Sequence, residues 1–303
     1  MSRGTVRVGS RGSALSLWQA RWVVARLEKA LPGRSVEIVT VRTRGDDIAG
    51  PLTGLAEVGL FTSALEQALV ERRVDVAVHS LKDLPVTDAG AVPVTAVPLR
   101  ADPADALVSR AGLPLAGLPA GATVGTSSPR RESLIRSLRP DARVVPLRGN
   151  VDSRVRQLDQ GDFDAIVLAV AGLERLGLGA RVSERLDPRA FPPAPGQGAL
   201  AVQARKDDTE IHAVVEALDD GAARATTSAE RACLEWLGGG CSRPVGVHAW
   251  LDVRTIHVTA VVGSPDGARM LTAEASGSVD DAAGVGREAA GSLIEAGAGQ
   301  LLA

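Results

Sequence analysis

The feature that most constrains the fold is an alternation of short apolar runs with segments of helical periodicity. Val74–Val78 (VDVAV) and Phe163–Val170 (FDAIVLAV) are nearly continuous apolar runs, as in strands that are covered on both faces. Apolar residues also recur at helical spacing, for example from Ser13 to Ala30 and from Leu60 to Val70. Strands that alternate with helices predict an α/β fold.

The alternation is interrupted by two segments that are rich in proline and glycine. Residues 99–121 contain three prolines, and residues 191–198 (FPPAPGQG) precede a predicted strand at Ala199–Ala204. Such composition is typical of connections rather than of helices or strands. We therefore expect two crossings between domains, with a second α/β pattern between them.

The last part of the chain has a different pattern. Three consecutive strands are predicted over Val245–Leu251, Thr255–Val262 and Arg269–Ala275. A turn signal at Ser264–Gly267 separates the last two strands, and helices are predicted over Ser228–Leu237 and Asp280–Ala296. This order predicts a small antiparallel sheet with helices on one side, an α+β unit.

Composition excludes several classes of protein. Two cysteines cannot form a disulfide scaffold or a four-thiolate zinc site, and we expect no metal. A net charge of −2 and an aromatic fraction of 2% argue against nucleic-acid binding. The sequence has no apolar run of transmembrane length and no apolar signal-peptide region at its start, so we expect a cytoplasmic protein.

A polar cluster, His79–Pro85 (HSLKDLP), directly follows the predicted strand VDVAV. Ligands of open α/β sheets bind at the carboxyl ends of strands, so Ser80, Lys82 and Asp83 are candidates for a site. The alternative is an ordinary surface ion pair between Lys82 and Asp83. A motif this short does not distinguish a ligand site from such an ion pair.

A second polar cluster, Gly125–Arg131 (GTSSPRR), lies between a predicted strand and a predicted helix. Ser128 and Pro129 fit the N-cap and the first position of that helix. Capping explains Ser128 alone, whereas the additional hydroxyls of Thr126 and Ser127 and the two arginines favour an anion site at the helix N-terminus.

A third cluster, Leu147–Arg154 (LRGNVDSR), has the same setting, and Arg11 and Ser13 follow the first strand. Of the 34 basic residues only three are lysine, so 31 are arginine. These arginines could be ordinary surface residues, or some could bind carboxylates through two parallel N–H groups of the guanidinium. Four strand ends that carry Arg, Ser or Thr favour a cleft between two α/β domains that binds a ligand with several negative groups.

The two cysteines lie in different settings. Cys233 falls with Ala229 and Trp236 on the apolar face of a predicted helix, which indicates a core residue. Cys241 follows three glycines, in a loop that needs close backbone approach or positive φ. From the residues alone, Cys241 could be a nucleophile, a covalent attachment point or an ordinary loop cysteine.

The chain resembles the porphobilinogen deaminase family in seven stretches that occur in the family's order. They are VRVGSRGSALSLWQA, DVAVHSLKDLPV, GTSSPRR, LRGNVDSR, DAIVLAVAGLERL, PAPGQGALAVQAR and SAERACLEWLGGGCSRPVG. The resemblance covers nearly the whole chain, from about Val6 to the last helix. The shared order and spacing are far more specific than any single stretch.

The resemblance implies three domains. Two are α/β domains like those of type II periplasmic binding proteins, arranged around a cleft. The third is a C-terminal α+β domain with a three-stranded antiparallel sheet, and it carries Cys241. The expected bounds are residues 1–99 plus 195–217 for domain 1, residues 100–194 for domain 2 and residues 218–303 for domain 3.

The resemblance also implies a transferase of tetrapyrrole (haem) biosynthesis. Such an enzyme condenses four porphobilinogen molecules head to tail, releases ammonia and hydrolyses the product to hydroxymethylbilane. A dipyrromethane cofactor is implied, bound through a thioether to Cys241. Asp83 matches the catalytic aspartate, whose carboxylate stabilises the azafulvene cation that forms when ammonia leaves.

Polar residues that match the family's ligands for acetate and propionate groups are Arg11, Ser13, Ser80, Lys82, Thr126, Ser127, Ser128, Arg130, Arg131, Arg148, Asn150 and Arg154. Phe61 and Gln197 resemble further cleft residues. The chain departs from many relatives at Ala56–Phe61, where it has no lysine, so no lid role is assigned there. The resemblance favours a monomer with porphobilinogen as substrate, no nucleic-acid or membrane partner, and uroporphyrinogen-III synthase as recipient of the product.

Two other functions are alternatives to the transferase. A non-catalytic cytoplasmic binding protein for a polycarboxylate ligand could use the same cleft, but Cys241 on a glycine-rich loop and the missing signal peptide disfavour it. A nucleic-acid-binding protein that relies on its arginines is disfavoured by the net charge of −2 and the scarce aromatic residues.

Overall fold

The computed structural model describes residues 4–42, 63–86, 90–240 and 243–302. The chain divides into two compact units, Met1–Arg100 with Ala199–Arg224 and Ala101–Gly198 with Ala225–Ala303. The first unit holds a five-stranded sheet, and the second holds a five-stranded and a three-stranded sheet. The predicted fold class, α/β with a three-stranded antiparallel sheet towards the C-terminus, is confirmed.

The strands of the described ranges are β1 (Val6–Ser10), β2 (Val36–Thr40), β3 (Val76–Ser80), β4 (Val94–Ala96), β5 (Asp105–Ser109), β6 (Thr123–Gly125), β7 (Arg143–Val145), β8 (Ala165–Ala169), β9 (Glu184–Arg185), β10 (Leu200–Ala204), β11 (Val245–Asp252), β12 (Thr255–Gly263) and β13 (Met270–Ser278). The α-helices are α1 (Ala14–Ala30), α2 (Ser63–Val70), α3 (Pro129–Leu138), α4 (Val151–Gln160), α5 (Val170–Arg175), α6 (Thr209–Glu216), α7 (Gly221–Trp236), α8 (Ala282–Glu295) and α9 (Ala298–Leu302).

The sheet of the first unit has the strand order β2-β1-β3-β10-β4. β1 is parallel to β2 and β3, whereas β10 is antiparallel to β3 and β4. Val76 and Val78 of β3 belong to the core that α1 covers, and Ala77 belongs to the core with Leu65 and Leu69 of α2. Because both faces of β3 are covered, its first three residues, Val76, Ala77 and Val78, are all apolar rather than alternately apolar and polar.

The five-stranded sheet of the second unit has the order β7-β6-β8-β5-β9. β6 is parallel to β7 and β8, and β5 is antiparallel to β8 and β9. Leu134 and Ile135 of α3 cover one face, and Val155 and Leu158 of α4 cover the other. The directions repeat those of the first sheet: three parallel strands are followed by a fourth strand antiparallel to the third and a fifth antiparallel to the fourth.

The third sheet has the order β11-β12-β13 and is antiparallel throughout. Helix α8 packs on β12 and β13 and approaches α7 closely at Gly286. A Cβ atom at Gly286 would lie 2.0 Å from the carbonyl oxygen of Ala229, so only glycine fits at this crossing. Val261 of β12 joins the core under α3, and the sheet thereby packs within the second unit.

Strand β5 corrects the interpretation of residues 99–121 as a connection. Asp105–Ser109 is buried along its whole length between β8 and β9 of the sheet. Proline and glycine on both sides conceal this strand in the sequence, and its first residue is a charged aspartate. The carboxylate is tolerated in the core because two arginines from α3 pair with it.

Two further expectations are corrected at α7. The helix begins at Gly221 rather than Ser228, and the carboxylate of Asp220 accepts a hydrogen bond from the backbone N–H of Ala223 at 2.8 Å. Trp236, expected on the apolar face, is 56% exposed, whereas Cys233 is fully buried as predicted. The predicted bounds of three domains stay a prediction, since the two units divide the chain differently.

Candidate active site

Serine side chains hold the turn that follows β1. The Oγ of the buried Ser10 donates to the carbonyl of Ser16 at 3.0 Å and to that of Arg11 at 3.1 Å. Ser13 caps α1, because its Oγ accepts from the backbone N–H of Ser16 at 3.2 Å. These bonds fix the backbone at Arg11, whose side chain is half-buried.

The end of β3 lies beside the end of β1. The two strands are parallel, with Val8 opposite Val76 and Gly9 opposite Ala77. Gln19 of α1 donates from Nε2 to the Oγ of Ser80 at 2.9 Å and so joins the helix to the end of β3. In the first unit, the structure therefore brings the Arg11–Ser13 turn and Ser80 to one edge of the sheet.

A short 3-10 turn, Leu81–Asp83, follows β3. Leu81 is buried, and its backbone N–H donates to the carbonyl of Ala199 at 3.0 Å. With Leu81 fixed in this way, Lys82 is half-buried and Asp83 is exposed. The carboxylate of Asp83 thus stands at the carboxyl end of a central strand, where α/β sheets place ligands.

His79 lies directly below this turn and is fully enclosed. Burial lowers the pKa of its imidazole to about 4, and the positive charge of Arg11 adds to the shift. His79 is therefore neutral near pH 7.

In the second unit, hydroxyl side chains organise the end of β6. Thr126 Oγ1 accepts from the backbone N–H of Ser128 at 3.2 Å, and Ser128 is the N-cap of α3 with Pro129 at the first helical position, as predicted. Ser127 Oγ donates to the carbonyl of Leu147 at 2.8 Å and accepts from the N–H of Leu147 at 3.0 Å. This pair of bonds joins the ends of β6 and β7.

Arg148, Asn150 and Arg154 cluster around the start of α4. Asn150 is the N-cap of α4, and its side chain makes no capping hydrogen bond. Gly149 has a φ of +105°, and Arg154 Nε donates to its carbonyl at 2.7 Å. The helix therefore begins with backbone N–H groups that no capping side chain satisfies, beside two arginines, which is a setting that favours anions.

Arg130 and Arg131 have a different environment from these exposed residues. Both are buried, and both form ion pairs with Asp105 of β5, at 2.8 Å from Arg130 and 2.6 Å from Arg131. Burial alone raises the pKa of a carboxyl, but the two guanidinium charges more than offset it and hold the pKa of Asp105 well below its usual range. Sequence reasoning missed Asp105, which is 26 residues from Arg131.

Gln197 is also buried and joins the same network. Its Nε2 donates to Asp105 Oδ1 at 2.9 Å and to the carbonyl of Pro103 at 2.8 Å. Arg130 Nη1 donates to the carbonyl of Pro192 at 2.9 Å. The segment 191–198 is thus held against β5 by buried polar groups, and whether Gln197, Arg130 or Arg131 contacts a ligand stays a prediction.

Phe61 and Cys241 lie outside the described residues. Cys233 has no free access to solvent, and burial raises the pKa of its thiol to about 12. A thiol this reluctant to ionise is a poor nucleophile. No group of three or more His, Cys, Asp or Glu side chains within the described ranges is arranged to hold a metal ion.

Comparisons with known proteins agree over nearly the whole chain. Residues 6–213 match the family model described as "Porphobilinogen deaminase, dipyromethane cofactor binding domain", and residues 224–295 match the porphobilinogen deaminase C-terminal domain. A porphobilinogen deaminase of Chromobacterium violaceum is 46% identical over 297 residues, which are 98% of this chain and 96% of that protein. The chain belongs to the porphobilinogen deaminase family.

A second relative agrees with this membership. A porphobilinogen deaminase of Roseiflexus castenholzii is 46% identical over 302 residues, which are 99% of either protein. Among solved structures, an arginine-specific periplasmic binding protein of Salmonella typhimurium shares 13% identity, with a TM-score of 0.37 over 71% of this chain and 91% of that chain. No described helix has both the length and the apolar character of a membrane span.

The residues described in the second unit fit the cofactor of the porphobilinogen deaminase family. A dipyrromethane carries an acetate and a propionate on each ring, so it presents carboxylates to its site. Arg148, Arg154 and the first N–H groups of α4 are donors of the kind that bind carboxylates. Ser127, the residue before the N-cap of α3, is bonded to Leu147, the residue before Arg148.

Proposed function

We propose that this chain performs the reaction of the porphobilinogen deaminase family, with Asp83 as its catalytic carboxylate. The amino group of one porphobilinogen's aminomethyl side chain leaves as ammonia, and the methylene carbon that stays on the ring, now part of an azafulvene, bonds to the free α-carbon of a pyrrole. That pyrrole then loses its α-proton. After four such additions, water cleaves the linear tetrapyrrole from the protein as hydroxymethylbilane.

The observation that carries this proposal is the position of Asp83. The Leu81–Asp83 turn holds an exposed carboxylate at the end of β3, beside the half-buried Lys82 and above a neutral His79. A fixed negative charge stabilises the positive charge that develops as ammonia leaves, and it does so without reorganising during the reaction. The neighbouring Ser80 is itself fixed by Gln19.

The other strand ends supply donors for the acetate and propionate groups of the pyrroles. Arg11 and Ser13 serve in the first unit, and Ser127, Arg148, Asn150 and Arg154 serve in the second. Forked guanidinium groups and helix N-termini both suit carboxylates. Buried Asp105 fixes Arg130 and Arg131, so those two act from a rigid position.

Cys241 is the attachment point for the dipyrromethane, through a thioether. When bound, this cofactor supplies the free α-carbon to which the first substrate is joined. Cys233 is unsuited to the role, since its thiol is enclosed and its pKa is raised to about 12. We further propose a cytoplasmic monomer that passes its product to uroporphyrinogen-III synthase.

The experiment that tests this function is a turnover assay with porphobilinogen on the cofactor-loaded protein and on Asp83→Asn. The wild type is expected to release ammonia and form hydroxymethylbilane. Asp83→Asn should lower kcat by about 100- to 1,000-fold, the usual effect of removing one electrostatic stabiliser. Asp207→Asn, an exposed carboxylate paired with Arg72, is the control and should keep normal turnover.

Near-normal turnover by Asp83→Asn would refute the role of Asp83. A wild type that binds porphobilinogen without releasing ammonia would favour the non-catalytic binding protein instead.

A further inference from the structure

Glu230 of α7 is a fully buried carboxylate that bonds to two distant parts of the backbone. Its Oε2 accepts from the N–H of Gly196 at 2.7 Å, and its Oε1 accepts from the N–H of Ala249 at 2.9 Å. These partners are 34 and 19 residues away in the chain. A buried charge is costly unless it is well satisfied, and charge-assisted bonds of this kind are strong.

Each partner belongs to a segment with its own anchors. Gly196 precedes Gln197, which donates to Asp105, the carboxylate that also pairs with Arg130 and Arg131. Ala249 lies in β11, which pairs along its length with β12. One side chain of α7 therefore joins the helix to the polar network around Asp105 and to the three-stranded sheet.

Helix α7 is also the last regular element before Cys241. Gly238, Gly239 and Gly240 follow it with φ values of +88°, +61° and +114°. A backbone of this kind is accessible mainly to glycine. The N–H groups of Gly238 and Gly239 donate to the carbonyls of Glu235 and Leu234 at 3.0 and 2.8 Å, so the first glycines are bonded to the last turn of α7. The position from which the Cys241 loop starts is therefore set by α7, and the bonds of Glu230 fix α7 within the second unit.

We propose that Glu230 is a positioning residue, which holds α7 so that the loop of Cys241 starts at a fixed place relative to Gln197 and Asp105. The proposal rests on the proposed function, because it concerns the cofactor attached at Cys241. Loss of the two hydrogen bonds of Glu230 moves the attached polypyrrole relative to the residues that bind its carboxylates, and this lowers the rate of the condensation steps. A misplacement of about 1 Å can cost on the order of 100-fold in rate.

The test variant is Glu230→Gln, which keeps the size of the side chain. Its amide offers one oxygen as acceptor, and its NH2 group turns a donor towards the N–H of Gly196 or Ala249. Glu235→Gln on the same helix is the matched control, since Glu235 is exposed. Glu230→Asp, which keeps both acceptors on a shorter arm, serves as a second variant in case Glu230→Gln does not fold.

Two measurements are made on folded, cofactor-loaded protein. The first is kcat and KM with porphobilinogen, and the second is amide hydrogen exchange at Gly196 and Ala249. Glu230→Gln should lower kcat by about 10- to 100-fold with KM changed less than about twofold. Exchange at both amides should accelerate about tenfold or more. Glu230→Asp should change both in the same direction, and Glu235→Gln should change neither.

Normal kcat in Glu230→Gln or Glu230→Asp, with only a lower melting temperature, would overturn the proposal and leave Glu230 a purely structural residue. Unchanged exchange at Gly196 and Ala249 would overturn it as well. Failure of the proposed function is distinguishable from these results, because in that case the wild type itself shows no turnover of porphobilinogen.

Discussion

Asp105 and His79 are both enclosed by the core, and they differ in whether neighbouring charges oppose the effect of burial on their pKa. Desolvation opposes the charged form of each residue. At Asp105 two adjacent guanidinium groups outweigh this cost, so the carboxylate keeps its charge and its pKa is lowered. At His79 the nearest charge is the positive Arg11, which acts in the same direction as desolvation, so the imidazole is neutral.

Asp105→Asn should destabilise the second unit strongly. It leaves two buried arginines without their counter-charge, and breaking a buried ion pair in this way costs about 3–5 kcal/mol. The measurement is the free energy of unfolding in urea. Asp159→Asn, which removes an exposed partner of Arg181, is the matched control and should change stability little. Equal losses of unfolding free energy in the two variants would contradict the claim that the buried ion pairs of Asp105 stabilise the second unit.

His79 should make the protein less stable in mild acid. The pKa of His79 in the folded protein, about 4, lies below the ordinary value of 6.5. The neutral imidazole therefore makes its full contribution to the free energy of unfolding above pH 6.5, and this contribution is lost as the pH falls towards 4. At pH 5 the loss is roughly 2 kcal/mol relative to pH 7.5. Urea unfolding at both pH values measures it, and His79→Asn should remove this part of the pH dependence. An unchanged pH dependence in His79→Asn would rule out His79 as its source.

At the scale of elements, the start of α4 differs from an ordinary capped helix. Asn150 occupies the N-cap but makes no capping bond, whereas Asp281 caps α8 through the N–H of Gly284 at 3.1 Å. Ser153 Oγ donates to the backbone carbonyl of Asn150 at 2.8 Å. The proposed function assigns the α4 N-terminus to a carboxylate of the substrate, and the uncapped N–H groups are what supports that assignment.

Asn150→Ala should separate binding from stability. Because the Asn150 side chain makes no capping bond, its removal should change the free energy of unfolding little, while Asp281→Ala should cost about 1 kcal/mol. In turnover assays, Asn150→Ala should raise KM for porphobilinogen by about tenfold, the loss of one hydrogen bond to a charged group. Asp281→Ala should leave KM unchanged. A normal KM in Asn150→Ala would remove Asn150 from the proposed site.

Periodicity in the sequence predicted the elements that are locally self-consistent. Helix α1 with its Ser13 cap, α3 with Ser128 and Pro129, and the three C-terminal strands are examples. Periodicity did not predict β5, because its charged first residue, Asp105, is stable in a buried strand only when α3 supplies the opposite charge. It also failed at Trp236, where helical spacing alone does not say which side of the last turn is covered.

At the scale of the molecule, contacts between residues far apart in the chain escape a sequence pattern. Asp105 is 92 residues from Gln197, and Glu230 is 34 residues from Gly196. Asp105 lies outside all seven stretches shared with the family, and Glu230 lies inside one of them, but the partners of both carboxylates are found only once the sheets are assembled. The candidate site is different, because strand-end residues such as Ser80, Asp83 and Ser127 stand within short motifs that the sequence displays directly.

The central claim is that this chain builds a polypyrrole covalently attached to Cys241. Intact-protein mass spectrometry tests it directly on protein made with porphobilinogen available. We expect a mass above that of the polypeptide by one dipyrromethane, further steps of one pyrrole unit on limited addition of porphobilinogen, loss of all added mass in Cys241→Ser, and its retention in Cys233→Ser. A wild-type mass equal to the bare polypeptide, or added mass that persists in Cys241→Ser, would contradict the claim.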